Sequence, residues 1–103
     1  MTSDVKREQI AKKNDQLRRT FTGGRVMLTS RVEADPNLKQ IIDAIQQFSD
    51  FNKSCDPYGE HDFGKVTISG EDYFFKLDYY DPTYQFYEQD GNRVLTIMHS
   101  DEY

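Results

Sequence analysis

Residues 36–51 carry the one wide apolar stripe in the chain. Leu38, Ile41, Ile42, Ile45 and Phe48 recur at i, i+3, i+4, i+7 and i+10, the spacing of one helical face. Asp35-Pro36 reads as the start, with Asp35 as N-cap and Pro36 at the first helical position, and the pattern runs out near Phe51. Such a stripe must be buried. The other apolar segments repeat mostly with period two, so this helix is expected to cover one face of a sheet.

The elements around it follow from local signals. A first helix is expected from Ser3 to Arg19, with Ser3 as N-cap and Asp4 in the first turn. Its apolar face is thin: only Ile10, Leu17 and Phe21 share it, so residues 1–12 are expected to fray or project. Gly23-Gly24 ends it. Arg25 to Val32 reads as a strand through Val26, Leu28 and Val32. After a polar loop from Asn52 to Asp62, three strands follow as a meander. Phe63 to Ser69 alternates through Val66 and Ile68, and Gly70-Glu71 begins a turn. Tyr73 to Tyr80 puts Tyr73, Phe75, Leu77 and Tyr79 on one face, and Phe74, Lys76, Asp78 and Tyr80 on the other. Beyond Asp81-Pro82, Tyr84 to Glu88 is expected to pair with Arg93 to His99 through Asp90-Gly91. The fold class is α+β: two helices and a mostly antiparallel sheet of four to five strands, the second helix on one face, in a single domain over 1–103.

Charge is unevenly spread. Residues 1–31 hold eight basic and three acidic side chains, a net of +5, while residues 32–103 hold five and fifteen, a net of -10. The acidic back should repel nucleic acid and attract basic surfaces. The single cysteine, Cys55, leaves no internal disulfide, which favours a reducing compartment. No apolar stretch approaches the roughly 18 residues that span a bilayer, and Met1 to Lys13 has no apolar signal core. The expected location is cytoplasmic, with no membrane association.

Four ordered segments carry a resemblance. They are Asn14-Asp15-Gln16-Leu17-Arg18-Arg19 with Gly23-Gly24, then Asp56-Pro57-Tyr58-Gly59-Glu60-His61-Asp62-Phe63-Gly64, then Asp78-Tyr79-Tyr80-Asp81, and finally Arg93-Val94-Leu95-Thr96-Ile97-Met98 with Glu102-Tyr103. Together they span residues 14 to 103 and are similar to a bacterial family called domain of unknown function 3768. Similar proteins often carry a longer insertion between Asp81 and Arg93, where this chain is expected to have a short hairpin. The resemblance implies a plasmid- or phage-borne protein, among genes that help mobile DNA survive in a host. It implies no activity.

The central loop gathers Asp56, Glu60, His61 and Asp62 beside Tyr58. Carboxylates with an imidazole suit acid–base work or a divalent metal. In an extended segment, however, Glu60 and Asp62 share a side that His61 does not, so one ion needs a special turn at Gly59 or Gly64. The competing reading is structural: His61 bonds a backbone carbonyl while the carboxylates cap the loop or the end of the second helix. His99 approaches His61 if the last strand lies beside Phe63 to Ser69. Cys55 has no histidine at useful spacing, and Gly23-Gly24-Arg25 precedes a strand where a phosphate cradle needs a helix.

Two classes of function follow, with a third behind them. The first is a non-catalytic inhibitor of a host defence protein (CRISPR or restriction), which would be basic and nucleic-acid-binding. Its charges would be Asp56, Glu60, Asp62, Asp78, Asp81, Glu88 and Asp90, and its anchors Tyr58, Tyr80, Tyr84 and Tyr87. The alternative is a small acid–base or metal-assisted hydrolase built on Glu60, His61, Asp62 and Asp78. The third is a homodimer formed through a strand edge or the first helix. No cofactor is expected. Direct nucleic acid contact, if made, would use Lys12, Lys13, Arg18 and Arg19.

Overall fold

The computed structural model describes residues 4–88 and 91–103. The Ser3 cap and the Asp90 turn lie outside the described residues. In chain order the elements are α1 (Asp4–Thr20), β1 (Arg25–Leu28), α2 (Ser30–Glu33), α3 (Leu38–Gln46), β2 (Phe63–Ile68), β3 (Glu71–Tyr80), β4 (Asn92–His99) and a 3-10 turn (Ser100–Glu102). The sheet has four strands in the order β1-β4-β3-β2. β2 with β3 and β3 with β4 are antiparallel, while β1 runs parallel to β4.

The alternation in β3 sets the two faces. Tyr73, Phe75, Leu77 and Tyr79 are buried. Tyr73, Phe75 and Leu77 share a core cluster with Val66, Leu95 and Ile97 of the neighbouring strands and with Leu17 of α1, Val32 of α2, and Ile41 and Ile45 of α3. Phe74, Lys76, Asp78 and Tyr80 face the other way and stay half-buried. Gly64 lies opposite Phe75, and a Cβ there would collide with the rings of Phe75 and Phe48. Ser69 and Gly70 make the β2–β3 turn with φ of 52° and 81°, the positive pair of a two-residue hairpin. The turn therefore sits one residue earlier than expected.

Several elements differ from the sequence expectation. The strand from Arg25 stops at Leu28, because Thr29 Oγ1 accepts the Val32 N–H at 3.3 Å and caps α2. Val32 thus enters the core from a helix, and among the described residues the α-helices number three. The second expected helix is α3 and starts two residues late. Asp35 Oδ1 accepts the Asn37 N–H at 2.8 Å and holds a turn, leaving Asn37 at the cap position. α3 ends at Gln46, which frees Phe48 and Phe51 to pack edge-on with centroids 4.8 Å apart. No strand forms over 84–88. Asp81 Oδ1 accepts the Thr83 hydroxyl at 2.6 Å and the Thr83 N–H at 3.0 Å, and Tyr84 turns to a φ of 59°. A single bridge from Tyr80 to Tyr87 remains. β3 separates β2 from β4, so His99 does not meet His61. Its Nε2 lies 3.3 Å from Asp35 Oδ2, which also accepts the Tyr73 hydroxyl at 2.6 Å.

Candidate functional site

Two of the inward positions on α1 are polar. Asn14 fills the gap between Ile10 and Leu17, Arg18 follows Leu17, and both are fully buried. Buried polar groups must find partners, and theirs come from the central loop and the strand ends. Asn14 Nδ2 donates to the Glu60 carbonyl at 2.9 Å and to Tyr79 Oη at 2.8 Å, and Asn14 Oδ1 accepts from Arg93 Nε at 2.8 Å. Tyr79 Oη donates to Glu60 Oε1 at 3.3 Å, and the Arg93 guanidinium lies 5.3 Å from the Tyr79 ring centroid. Burial pushes the Tyr79 hydroxyl far above its ordinary range, so it stays a donor.

Arg18 binds a second set. Nη1 donates to the Ile45 and Gln46 carbonyls at 2.9 and 3.2 Å, at the C-terminus of α3 where carbonyls run short of helical partners; the Ile45 carbonyl also accepts the Phe48 N–H at 3.2 Å. Nη2 donates to Asp15 Oδ1 at 2.9 Å. Phe51 and Phe75 flank the guanidinium at 5.3 and 5.7 Å. Burial lowers its pKa, and Asp15 opposes that shift. Both oxygens of Asp15 lie 3.0 Å from His61 Nδ1. The imidazole stacks on Phe51 at 4.0 Å with the planes 2° apart, and Nε2 is 3.8 Å from Asp56 Oδ2.

Asp56 organises the loop itself. Its Oδ1 accepts the Glu60 and His61 N–H groups at 3.0 and 3.1 Å. The chain closes around it with Gly59 at φ 70° and His61 at φ 57°. Asp62 is the strained acid of the group: burial, then the charges of Glu60 and Asp56, push it up to about 6.

The structure thus brings Asp56, Glu60, His61 and Asp62 together, with Asp15, Asn14, Arg18, Tyr79 and Arg93 added. Asp56 faces inward and offers no surface charge. Arg18 is equally enclosed, so of the four residues expected to make any nucleic acid contact only Lys12, Lys13 and Arg19 are exposed. His61 contacts carboxylates, and its side chain is 32% exposed. The Asp15–His61 contact sets a carboxylate against a part-exposed imidazole, the geometry of an acid–base pair. Among the described residues no group of three or more His, Cys, Asp or Glu is arranged to hold a metal ion. Sequence reasoning missed Asn14 and took Arg18 for a surface contact, though both sit at i+4 and i+8 from Ile10, on the stripe. Arg93 and Tyr79 were legible as inward by parity with Leu95 and Leu77.

The remaining candidates lie outside this network. Asp78 turns to the uncovered sheet face and pairs with Lys76 Nζ at 3.1 Å. Tyr80 and Tyr84 lie on that face with centroids 6.3 Å apart, and Arg25 lies 3.9 Å over the Tyr84 ring. With Met27, Val94 and Thr96 these residues line an open concavity of about 320 Å³. The Thr83 hydroxyl holds Asp81 below the usual carboxylate range. Tyr58, Phe86 and Tyr87 are the exposed aromatics near the central and 81–88 loops, at 64%, 66% and 70%. The Glu88 N–H donates to the Tyr79 carbonyl at 3.1 Å. Tyr79 therefore joins both loops, touching Glu60 through its hydroxyl and Glu88 through its backbone.

Residues 21–102 match a family model described as "Protein of unknown function (DUF3768)". No curated protein and no solved structure matches the chain. The matched span begins just past α1.

Proposed function

The chain belongs to the DUF3768 family, and from that premise we propose that it is a non-catalytic binding protein working at the loop end of its sheet. One observation carries the reading. Tyr79 draws the 52–62 and 81–88 loops to the same end of β3, and those loops hold Tyr58, Phe86 and Tyr87 largely out in solvent. Large rings exposed beside acids are what a protein partner desolvates most profitably. Glu88, Asp81 and the exposed edge of Glu60 supply the charge, while Asp56 holds the loop from within. The bulk charge of -10 over residues 32–103 favours a basic partner. We place that partner among nucleic-acid-binding defence proteins of a bacterial host, with the chain acting as a cytoplasmic inhibitor carried by mobile DNA. The genetic part of this reading rests on the family resemblance.

Affinity capture from a bacterial lysate tests it, with the full chain as bait and Tyr87→Ala/Glu88→Lys as the comparison. The expected result is a stoichiometric basic protein that the double variant loses and that elutes as salt is raised. Retention of the same protein by both baits at high salt would overturn the loop-end assignment.

A second reading rests on the Asp15–His61 contact beside a one-third-exposed imidazole, the arrangement of an acid–base pair. A hydrolase screen over esters and phosphoesters decides it. Turnover that disappears in a folded His61→Ala variant establishes catalysis, and turnover unchanged in that variant removes it.

A further inference from the structure

We infer that the concavity on the uncovered sheet face is a binding site for a small organic anion with a flat body, with Arg25 as its charge partner. The site lies on the sheet-face side of the 81–88 loop, and none of the residues assigned to the loop-end contact lines it.

The register lays out the floor. Arg25 of β1, Val94 of β4 and Asp78 of β3 form one cross-strand row, and Met27, Thr96 and Lys76 form the next. Strands lie about 4.8 Å apart, so Arg25 and Asp78 stand roughly 10 Å apart across Val94. Tyr80 and Tyr84 close one end. At about 320 Å³ the space suits a compact ligand rather than a chain.

The charges within it are unequal. Lys76 and Asp78 neutralise each other at 3.1 Å. Arg25 is exposed, and no carboxylate among the described residues pairs with it. Its guanidinium lies 3.9 Å over the Tyr84 ring. Stacking of that kind occupies the face of the group and leaves its edge donors available in a fixed plane. Tyr84 is itself held by the turn at Asp81, whose carbonyl accepts the Tyr84 N–H at 2.9 Å. A planar fork in fixed orientation matches a carboxylate or a phosphate. The Tyr80 ring, tilted 40° from Tyr84, offers a flat wall to the rest of such a molecule. The net -10 of residues 32–103 disfavours a polyanion on this face, and a single anionic group beside Arg25 meets the least of that repulsion.

Titration followed by amide NMR tests the site, using the full chain with adenosine monophosphate, benzoate, adenosine and a thymidine decanucleotide as probes, each to about 10 mM where solubility permits. Saturable shifts confined to residues around Arg25, Tyr80, Tyr84 and Thr96 are expected with adenosine monophosphate or benzoate, and which of the two binds tells phosphate from carboxylate. Adenosine, which lacks the anion, should bind at least about tenfold more weakly than its monophosphate, and Arg25→Ala should weaken the anion by about tenfold or more. Arg25→Lys keeps the charge without the fork and should fall between them. Arg25 is solvent-exposed, so these variants keep the fold, which far-ultraviolet circular dichroism checks. No saturable shift with either anion, equal binding to Arg25→Ala, or tighter binding of the decanucleotide would each overturn the assignment.

Discussion

Asn14→Ala is the sharpest probe of the network that ties α1 to the loop and strand ends. Asn14 is fully buried and makes three hydrogen bonds of 2.8–2.9 Å. Two join neutral groups, each worth about 1 kcal/mol, and the third faces the Arg93 guanidinium, worth about 1.5–3 kcal/mol. Truncation also strands the Glu60 carbonyl and takes from Tyr79 its donor, so the expected loss is about 3.5–5 kcal/mol. Against a total stability of about 5–15 kcal/mol for a small domain, that is a large fraction. Urea denaturation followed by tyrosine fluorescence and circular dichroism reads it as a lower midpoint at unchanged slope. Asn14→Leu separates bonding from volume. Leucine fills the space but bonds nothing, so it should be about as damaging as alanine. If leucine restores the midpoint, or alanine shifts it by less than about 1 kcal/mol, the hydrogen bonds are not what holds these elements together.

Two further variants bear on the same frame. Asp62 keeps its proton in the folded chain up to about pH 6 and loses it near 3.9 when unfolded. Between those values the folded state binds more protons, so stability falls as pH rises through that window and is level above it. Asp62→Asn should abolish this slope; after screening at a part-exposed site its size is on the order of 1 kcal/mol, and a stability–pH curve identical in the two proteins would refute it. Gly64→Ala places a methyl inside the Phe75 and Phe48 rings and should cost about 3 kcal/mol, at the upper end for overpacking; a thermal midpoint within about 2 °C of the parent would show that the sheet relaxes there.

How much of this was legible follows from the range of each interaction. The period-two run over 73–79 and the helical stripe over 38–45 are local, and they gave the right faces. Thr29 ended a strand because its hydroxyl found the Val32 N–H, a choice between cap and pleat that Thr permits either way. The 84–88 segment has strand-forming residues, but Asp81 captures Thr83 and turns the chain first. The central loop was recognisable as a cluster of titratable groups. Its partners were not, because Asn14 and Asp15 reach Glu60 and His61 across 46 positions and nothing local encodes that pairing. Asn14 looked like a gap in a weak stripe, while it is the polar centre of the contact.

The strand order has a bearing on how the molecule is made. β4 is central, flanked by β1 and β3, yet it is the last of the four to leave the ribosome. β1 has β4 as its sole neighbour in the sheet, so its backbone groups wait unpaired while some 60 residues are added. Only the β2–β3 hairpin can close early, and completion of the sheet is a late event of long contact range. Until then Val26 and Leu28 present a bare strand edge to any neighbour, which makes the nascent chain a natural client for chaperones.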